Sequence, residues 1–406
     1  MIYLISLTVF ISVIFTLVGT LLLVEAAVVQ KGDRSIVVND DVEKIIAAST
    51  GKTLLSALVA REILMPSACG GKGTCGTCKC KVEEGGGDVL PTELVHLTRN
   101  EKKENVRLAC QVKVKQDLKI RIPEEIFSIK KYAATVISND NVATFIKELV
   151  LALDPGEKLD FTAGAYIQID IPEFEVTFQT FNVAERYREV WEKFNFWGLR
   201  AKSEEPVFRA YSLANPPYEP DVLKFTIRIA TPPPGATDIP PGIGSSYIFN
   251  LEPGDKVTLS GPYGDFLVKE TDREMCFVGG GAGMAPLRSQ IFHQLNGVDT
   301  RRRMSFWYGA RSLQEMFYEN EFNALEEKFG NFSIHIALSE PQPEDDWKGM
   351  TGFIHQCLYD EYIKDHEDPT EIEYYLCGPP PMIDAVISML DSLGVDPEMI
   401  AYDKFS

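Results

Sequence analysis

The first 24 residues carry no charged side chain, and apolar positions dominate them from end to end. As a helix rising about 1.5 Å per residue, such a run reaches about 34 Å, enough for the roughly 30 Å hydrocarbon core of a bilayer. Residues 1–30 are therefore expected to form a membrane-spanning anchor. Lys31 and Arg34 follow the run and place the remaining chain on the cytoplasmic side. A cleaved export signal is the competing reading, since Val24-Glu25-Ala26 resembles a cleavage site. Against it, no Lys or Arg precedes the run, which also exceeds the about 7–15 apolar residues usual for such signals.

Beyond the anchor the pattern changes character three times. From 33 to 126, short strand-like runs, a helix near 53–63 and a closing strand near 118–122 predict a small α+β unit of the β-grasp kind. Pro123-Glu124-Glu125 reads as a linker. Residues 129–269 hold six strand-like runs: KYAATVIS, IKELVLALD, AYIQIDIP, FRAYSLA, KFTIRIA and DKVTLSG. Their spacing predicts an antiparallel β-barrel. Residues 182–196 (NVAERYREVWEKFNF) interrupt it with an amphipathic helical pattern. The aromatics there, Tyr187, Trp191, Phe194 and Phe196, are either ordinary packing or a docking face for a membrane partner.

From 272 to 406, strands and helices alternate. The strands read EMCFVGG, RRMSFWYGA, FSIHIALS, EIEYYLCG and MIAYDKF, with helices from 284 and over 313–328, 353–364 and 380–393. This predicts an α/β doubly wound parallel sheet, which binds nucleotides at its strand C-termini.

The length of 406 residues suits two to three domains, and 45% hydrophobic residues supply their cores. A net charge of −19 argues against nucleic acid and against electrostatic adhesion to anionic lipid, which leaves the helix as tether. Eight cysteines in so long a chain fit a reducing compartment better than a disulfide framework.

Four of those cysteines carry the sharpest signal. Cys69, Cys75 and Cys78 lie in SACGGKGTCGTCKC and Cys110 in RLACQV, giving C-x5-C-x2-C and then a gap of 31 residues. A [2Fe–2S] cluster takes four thiolates. Gly70, Gly71, Gly73 and Gly76 let the loop bend tightly and turn its N–H groups toward the sulfides. Structural zinc usually shows two short CxxC pairs, and only Cys75/Cys78 form one. Cys80 is read as a bystander, because four ligands are already supplied.

Arg209-Ala210-Tyr211-Ser212 ends a strand with a cation for a pyrophosphate, an aromatic face and a hydroxyl, the parts a flavin dinucleotide needs. The sequence Gly242-Ile243-Gly244-Ser245-Ser246 then opens a short helix, where backbone N–H groups and Ser245 can meet phosphate. Gly279-Gly280-Gly281-Ala282-Gly283 follows a strand and opens a helix. It is not a strict GxGxxG, yet it offers the same bare backbone to a pyrophosphate. A second such turn is Cys377-Gly378-Pro379. Arg311 ends the next strand, where it meets an adenine ribose, attracts a 2′-phosphate, or is simply solvated. The residues by themselves therefore leave NADH against NADPH open.

The order of these motifs resembles the plant-type ferredoxin–NADP reductase superfamily with an N-terminal ferredoxin fused on. With the anchor and the 182–196 insertion, the chain is similar to the family of F subunits of sodium-translocating NADH:quinone oxidoreductases. The resemblance implies that Cys69, Cys75, Cys78 and Cys110 ligate [2Fe–2S]. It implies that Arg209, Tyr211, Ser212 and Ser245 hold FAD, with Tyr211 against the isoalloxazine ring. The 279–283 loop would take the NADH pyrophosphate, and Cys377 would sit near the hydride-transfer edge. Phe405 would shield the flavin and swing aside for nicotinamide. The C-x5-C spacing departs from the plant C-x4-C, so a plant-type redox potential does not transfer.

The implied function is electron input: NADH to FAD, then single electrons to the cluster, to integral membrane subunits of the same complex and finally to quinone. The implied location is a bacterial inner membrane, crossed once. Sodium movement falls to the partners, since one helix without an intramembrane carboxylate offers no ion path. One rival is the reductase component of a soluble multicomponent oxygenase, which has no reason to carry a membrane helix. The other is a tethered, non-catalytic electron carrier, which has no need of intact RAYS, GIGSS and CGPP motifs.

Overall fold

The computed structural model describes residues 2–28, 32–233, 236 and 239–404, and within them the side chains of all but 2–4, 21–28 and 42–44. The chain forms two compact units, Met1–Ser67 with Gly71–Ser128, and Ala68–Gly70 with Ile129–Ser406.

The first unit begins with α1 (Ile2–Val28). Ile5, Phe10, Phe15 and Leu17 on it are more than half exposed. The Thr16 and Thr20 hydroxyls donate back to the carbonyls of Ser12 and Thr16, at 2.8 and 2.7 Å, so the helix satisfies its own polar groups. The described side chains run only from Ile5 to Thr20, about 24 Å of helix. Among the described residues no helix is long and apolar enough to cross a membrane. The spanning anchor expected over 1–30 is thus not established by the fold.

Then follow β1 (Asp33–Val38), β2 (Asp41–Ser49), α2 (Leu54–Val59), β3 (Lys79–Glu84), α3 (Pro91–Leu94), α4 (Arg99–Lys103), β4 (Val106–Leu108) and β5 (Leu118–Arg121). The sheet runs β2-β1-β5-β3-β4, with β1 and β5 parallel. Thr53 caps α2 by accepting the Ser56 amide at 3.1 Å, as a threonine just before an apolar run should. Residues 123–125, expected as a linker, lead into a 3₁₀ turn over Glu124–Ser128 whose Ile126 is buried. The apolar side chain pins what the polar flanks alone would leave loose.

In the second unit all six predicted runs form strands: β6 (Lys130–Ala143), β7 (Ile146–Leu153), β8 (Tyr166–Ile171), then, after an insertion, β11 (Val207–Ser212), β12 (Leu223–Arg228) and β13 (Lys256–Tyr263). The insertion holds β9 (Phe174–Thr177), α5 (Glu185–Lys193) and β10 (Arg200–Ser203), and α6 (Ile243–Phe249) precedes β13. The antiparallel order is β11-β8-β13-β6-β7-β12. The two edge strands meet where the Ala214 amide donates to the Lys224 carbonyl at 2.7 Å. Tyr187 and Trp191 of α5 are buried with Phe178, Phe181 and Phe249 in their own apolar cluster. The Trp191 indole N–H donates to the Thr144 carbonyl at 2.8 Å. Tyr187 and Trp191 are therefore packing, while Phe194 stays exposed at the margin.

The chain continues through β14 (Met275–Gly280), α7 (Met284–Phe292), β15 (Met304–Ala310), α8 (Glu319–Lys328), β16 (Phe332–Leu338), β17 (Met350–Thr351), α9 (Ile354–Glu361), β18 (Glu373–Gly378), α10 (Pro380–Ser392) and β19 (Ile400–Lys404). The all-parallel order is β17-β16-β15-β14-β18-β19. Successive strands leave β14 in opposite directions, so the crevice of this sheet lies beyond the ends of β14 and β18. The helix expected over 313–328 starts only at Glu319, because residues 313–315 form a 3₁₀ turn and Tyr318 takes a left-handed conformation before it.

Candidate cofactor and hydride-transfer site

In the first unit the cysteine loop is shaped by glycine. Gly71, Gly73 and Gly76 have φ of +85°, +79° and +72°, a region that side chains disfavour. A Cβ on Gly73 would lie 2.5 Å from Gln111 Nε2, and one on Gly76 2.8 Å from His96 Nδ1. His96 Nε2 in turn lies 3.0 Å from the Gly73 carbonyl. Cys78, Cys110 and Cys75 lie close enough to act on one another, and Gln111 Nε2 donates to Cys110 Sγ at 3.5 Å. All eight cysteines are free of disulfides. Cys69, Cys78 and Cys110 are buried, and Cys75 is half-buried.

Among the described residues no three Cys, His, Asp or Glu close on a single ion. A two-iron cluster does not ask for that, since each iron takes only two of the four thiolates. In residue type and spacing the four thiols suit such a cluster, and Cys75, Cys78 and Cys110 lie near one another in the first unit. Cys80 is buried on β3, where burial pushes its thiol up to about 12, so it stays protonated.

Beneath the loop lies an ion pair that sequence reasoning passed over. Glu93 and Arg107 are essentially inaccessible, and Arg107 Nη2 donates to Glu93 Oε2 at 2.7 Å. Arg107 also donates to the Gly86, Gly87 and Asp88 carbonyls at 2.7–2.9 Å, and Glu93 accepts the Leu90 and Leu108 amides at 2.9 Å each. Burial opposes ionisation of Glu93, but the guanidinium and the two amides outweigh it and hold the carboxyl below the usual range. The pair fixes β4, the strand that leads into Cys110.

In the second unit, Arg209, Tyr211 and Ser212 end β11. Gly244 of α6 packs directly on them: a Cβ there would lie 2.5 Å from the Tyr211 hydroxyl and 2.7 Å from Arg209 Cγ. Arg209 Nη1 donates to the Phe208 carbonyl at 2.6 Å, and burial raises the Tyr211 phenol. Ser245 is occupied within the protein, accepting the Ala230 amide at 3.0 Å and donating to the Gly242 carbonyl at 3.2 Å. Its neighbour Ser246, fully buried, has a hydroxyl without a protein partner. An orphaned hydroxyl beside a close-packed glycine fits a dinucleotide lying across this helix.

The loops after β14 and β18 interlock. A Cβ on Gly283 would lie 2.1 Å from the Cys377 carbonyl oxygen, and one on Gly280 2.9 Å from Met382 Sδ. Gly279 pairs in register with Cys377, and Pro379 caps α10. Gly281 is left-handed at φ +55°, and a Cβ there would find nothing closer than 3.9 Å, so this part of the loop is open to a ligand. Gly378 meets Gly280 at its carbonyl, 3.0 Å from where a Cβ would stand.

The decisive residue was not among the sequence candidates. Asp403 pairs with Cys377 across β18 and β19, and Ser212 lies near enough to act on its carboxyl. Burial and the negative charge of Asp265 raise Asp403 to about 6, with the nearby Ser212 hydroxyl opposing them. Burial and then Asp403 raise the Cys377 thiol, which stays neutral. Ser212, Cys377 and Asp403 thus meet at one point, although the last strand, MIAYDKF, offered only its acid as a signal. Arg311, by contrast, is exposed and ion-paired with Glu340 at 2.9 Å. Phe405 lies outside the described residues.

Comparison with known proteins follows the same division. Residues 37–115 match the 2Fe-2S iron-sulfur cluster binding domain, 194–267 the oxidoreductase FAD-binding domain and 277–387 the oxidoreductase NAD-binding domain. The structure is similar to an Amycolatopsis cytochrome P450 reductase, GcoB, with 25% identity and a TM-score of 0.63 over 92% of this chain and 98% of that one. It also resembles the ferredoxin reductase of carbazole 1,9a-dioxygenase in fold, with 24% identity and a TM-score of 0.59 over 93% and 99% of the two chains.

The chain is therefore an iron–sulfur flavoprotein oxidoreductase that uses a [2Fe–2S] cluster, FAD and NADH. Its likeness to the F subunits of Na(+)-translocating NADH-quinone reductase is far stronger. Those of Mannheimia succiniciproducens and Marinomonas sp. are each 52% identical over 396 residues, 98% of this chain and 97% of theirs. The chain belongs to this family, the Na(+)-translocating NADH-quinone reductase F subunits.

Proposed function

We propose that this chain accepts a hydride from NADH where Ser212, Cys377 and Asp403 meet, and passes single electrons through the Cys69, Cys75, Cys78 and Cys110 centre to other subunits of its complex. The observation that carries this reading is the strand register, which sets Asp403 opposite Cys377 while Ser212 reaches the same carboxylate from the antiparallel sheet. When bound, FAD takes electrons in pairs and the two-iron cluster takes them one at a time.

The chain's own residues supply position and proton control. Arg209 would neutralise the flavin pyrophosphate, helped by the backbone N–H groups of Gly244 and Ser245 at the start of α6, while Tyr211 would give the ring a flat surface. Backbone N–H groups of Gly279, Gly280, Gly281 and Gly283 receive the NADH pyrophosphate at the start of α7, with Gly378 and Pro379 opposite. Cys377, small and neutral, lets nicotinamide approach without adding charge. The Ser212 hydroxyl would lie at the reactive edge of a bound flavin and, on reoxidation, would accept the ring's proton while giving its own to the Asp403 carboxylate. The Glu340 carboxylate beside Arg311 opposes a 2′-phosphate, consistent with NADH. Phe405 would shield the ring from the open side.

The apolar α1, with its outward-facing Ile, Phe and Leu side chains, serves as a single-pass anchor in a bacterial inner membrane, with the catalytic units in the cytoplasm. The partners are integral membrane subunits, through which quinone is reached and sodium moves. Structural likeness to a cytochrome P450 reductase favours a different acceptor, but relatives at 52% identity outweigh it.

The test is anaerobic addition of NADH to the full-length holoprotein. Flavin absorbance should bleach, and the rhombic electron paramagnetic resonance signal of a reduced [2Fe–2S] cluster should follow. No bleaching refutes the hydride assignment, and bleaching with no cluster signal refutes the exit route.

A further inference from the structure

Helix α7 carries three consecutive polar residues, Arg288, Ser289 and Gln290, all essentially buried. Three polar side chains in a row bury poorly on any helix, since they point to different sides of it. Each donates in the same unusual way, to a backbone carbonyl of the antiparallel sheet's loops, and Gln290 Oε1 is left without a protein partner. Arg288 Nη1 donates to Ala214 O at 2.8 Å, Ser289 Oγ to Asn215 O at 2.8 Å, and Gln290 Nε2 to Phe266 O at 2.6 Å. Arg288 is itself held, by Glu321 and by the rings of Phe292 and Tyr318 at 4.3 and 5.0 Å.

The carbonyls chosen are not scattered. Ala214 lies two residues beyond Ser212, and Phe266 follows Asp265, the acid that raises Asp403. The other end of α7 begins at Gly283, packed on the Cys377 carbonyl. One rigid helix therefore touches the dinucleotide loop at its start and both segments that bear the proton-handling residues a turn or two later. The segment around Ala214 has little freedom of its own, because its amide is also tied to Lys224 O at 2.7 Å.

We infer that Arg288, Ser289 and Gln290 are positioning residues that set the nicotinamide carbon against the flavin, fixing the transfer distance rather than the affinity for either nucleotide. This rests on the hydride site proposed above. Hydride transfer requires reacting atoms within about 3–3.5 Å, and a misplacement near 1 Å costs on the order of 10²-fold in rate. Losing one donor strands a buried carbonyl, which moves to find another partner.

The experiment compares full-length, FAD-loaded parent with Ser289→Ala, Arg288→Met and Arg288→Lys. Stopped-flow flavin bleaching at saturating NADH gives the limiting rate, and NADH deuterated at the transferred position gives the isotope effect. In Ser289→Ala and Arg288→Met the limiting rate should fall roughly 10- to 100-fold with a larger isotope effect. The half-saturating NADH concentration and the FAD content should stay within about twofold, and Arg288→Lys, which keeps a donor for Ala214 O, should recover most of the rate. A limiting rate within about twofold of the parent in flavin-replete variants overturns the inference. So does a loss that follows FAD release or weaker NADH binding, which would mark these residues as ordinary packing. If Arg288→Met does not fold, Ser289→Ala decides by itself. Failure of the parent to bleach would instead refute the hydride site.

Discussion

Asp403 offers the most direct test of how the hydride site handles protons. Its carboxyl is raised to about 6 from the ordinary 3.8, through burial first, then Asp265, with the nearby Ser212 hydroxyl opposing them. An acceptor with that value is about one-tenth ionised at pH 5 and about nine-tenths ionised at pH 7. If Asp403 must be ionised to take the proton relayed by Ser212, NADH-driven ferricyanide reduction by the holoprotein should rise roughly ninefold across that interval. Hydride delivery leaves no proton behind on Asp403, so flavin bleaching in a single turnover should stay flat over the same range. Asp265→Asn removes a charge that raises the carboxyl and should move the inflection toward acid. Asp403→Asn should abolish the inflection and lower the plateau on the order of 10²-fold.

The sign for stability is the reverse of that for activity. A raised acid favours folding while protonated, so its contribution is full below the ordinary aspartate value and lost as pH rises through about 6. Asp403→Asn should consequently be at least as resistant to heat as the parent at pH 7.5. A parent whose turnover ignores pH between 5 and 7, or an Asp403→Asn protein that keeps the inflection, would refute the relay.

Three further outcomes follow from packing. Glu93→Gln leaves the Arg107 guanidinium buried beside a neutral amide and should cost about 3–5 kcal/mol in urea unfolding. In the parent, the depressed Glu93 carboxyl contributes stability above the usual glutamate range and loses it as pH falls through its lowered value, so the first unit should be acid-labile. Gly283→Ala drives a Cβ onto the Cys377 carbonyl oxygen, where neither backbone can yield; NADH should bind at least roughly tenfold more weakly with FAD retained, whereas Gly281→Ala, in open space, should cost only about 1 kcal/mol of backbone strain. Cys110→Ser should lose the cluster signal and delivery to the natural acceptor while NADH still bleaches the flavin; full-speed delivery would exclude this centre as the exit.

How far the chain could be read varied with how local each feature is. All six strands of the antiparallel sheet appear where their runs predict, because alternation with β-branched residues is written within each run. The start of α8 was misplaced because Tyr318 adopts a left-handed conformation that no nearby residue type announces. The aromatic insertion had two readings, and burial assigns Tyr187 and Trp191 to packing while Phe194 stays exposed. Ser245 looked free for phosphate, yet its hydroxyl already serves Ala230 and Gly242.

What the residues determined unaided was the chemistry on offer: thiols at cluster spacing, an Arg-x-Tyr-Ser strand end, glycine turns at strand ends and their order along the chain. These are local, since spacing and backbone freedom act within a few residues. Tertiary structure alone decided which acid faces Ser212, which arginine is buried against Glu93, and which carbonyls α7 grips. Asp403 lies 191 positions from Ser212 in the chain, and only strand pairing and side-chain burial bring such groups close enough to alter one another's charge.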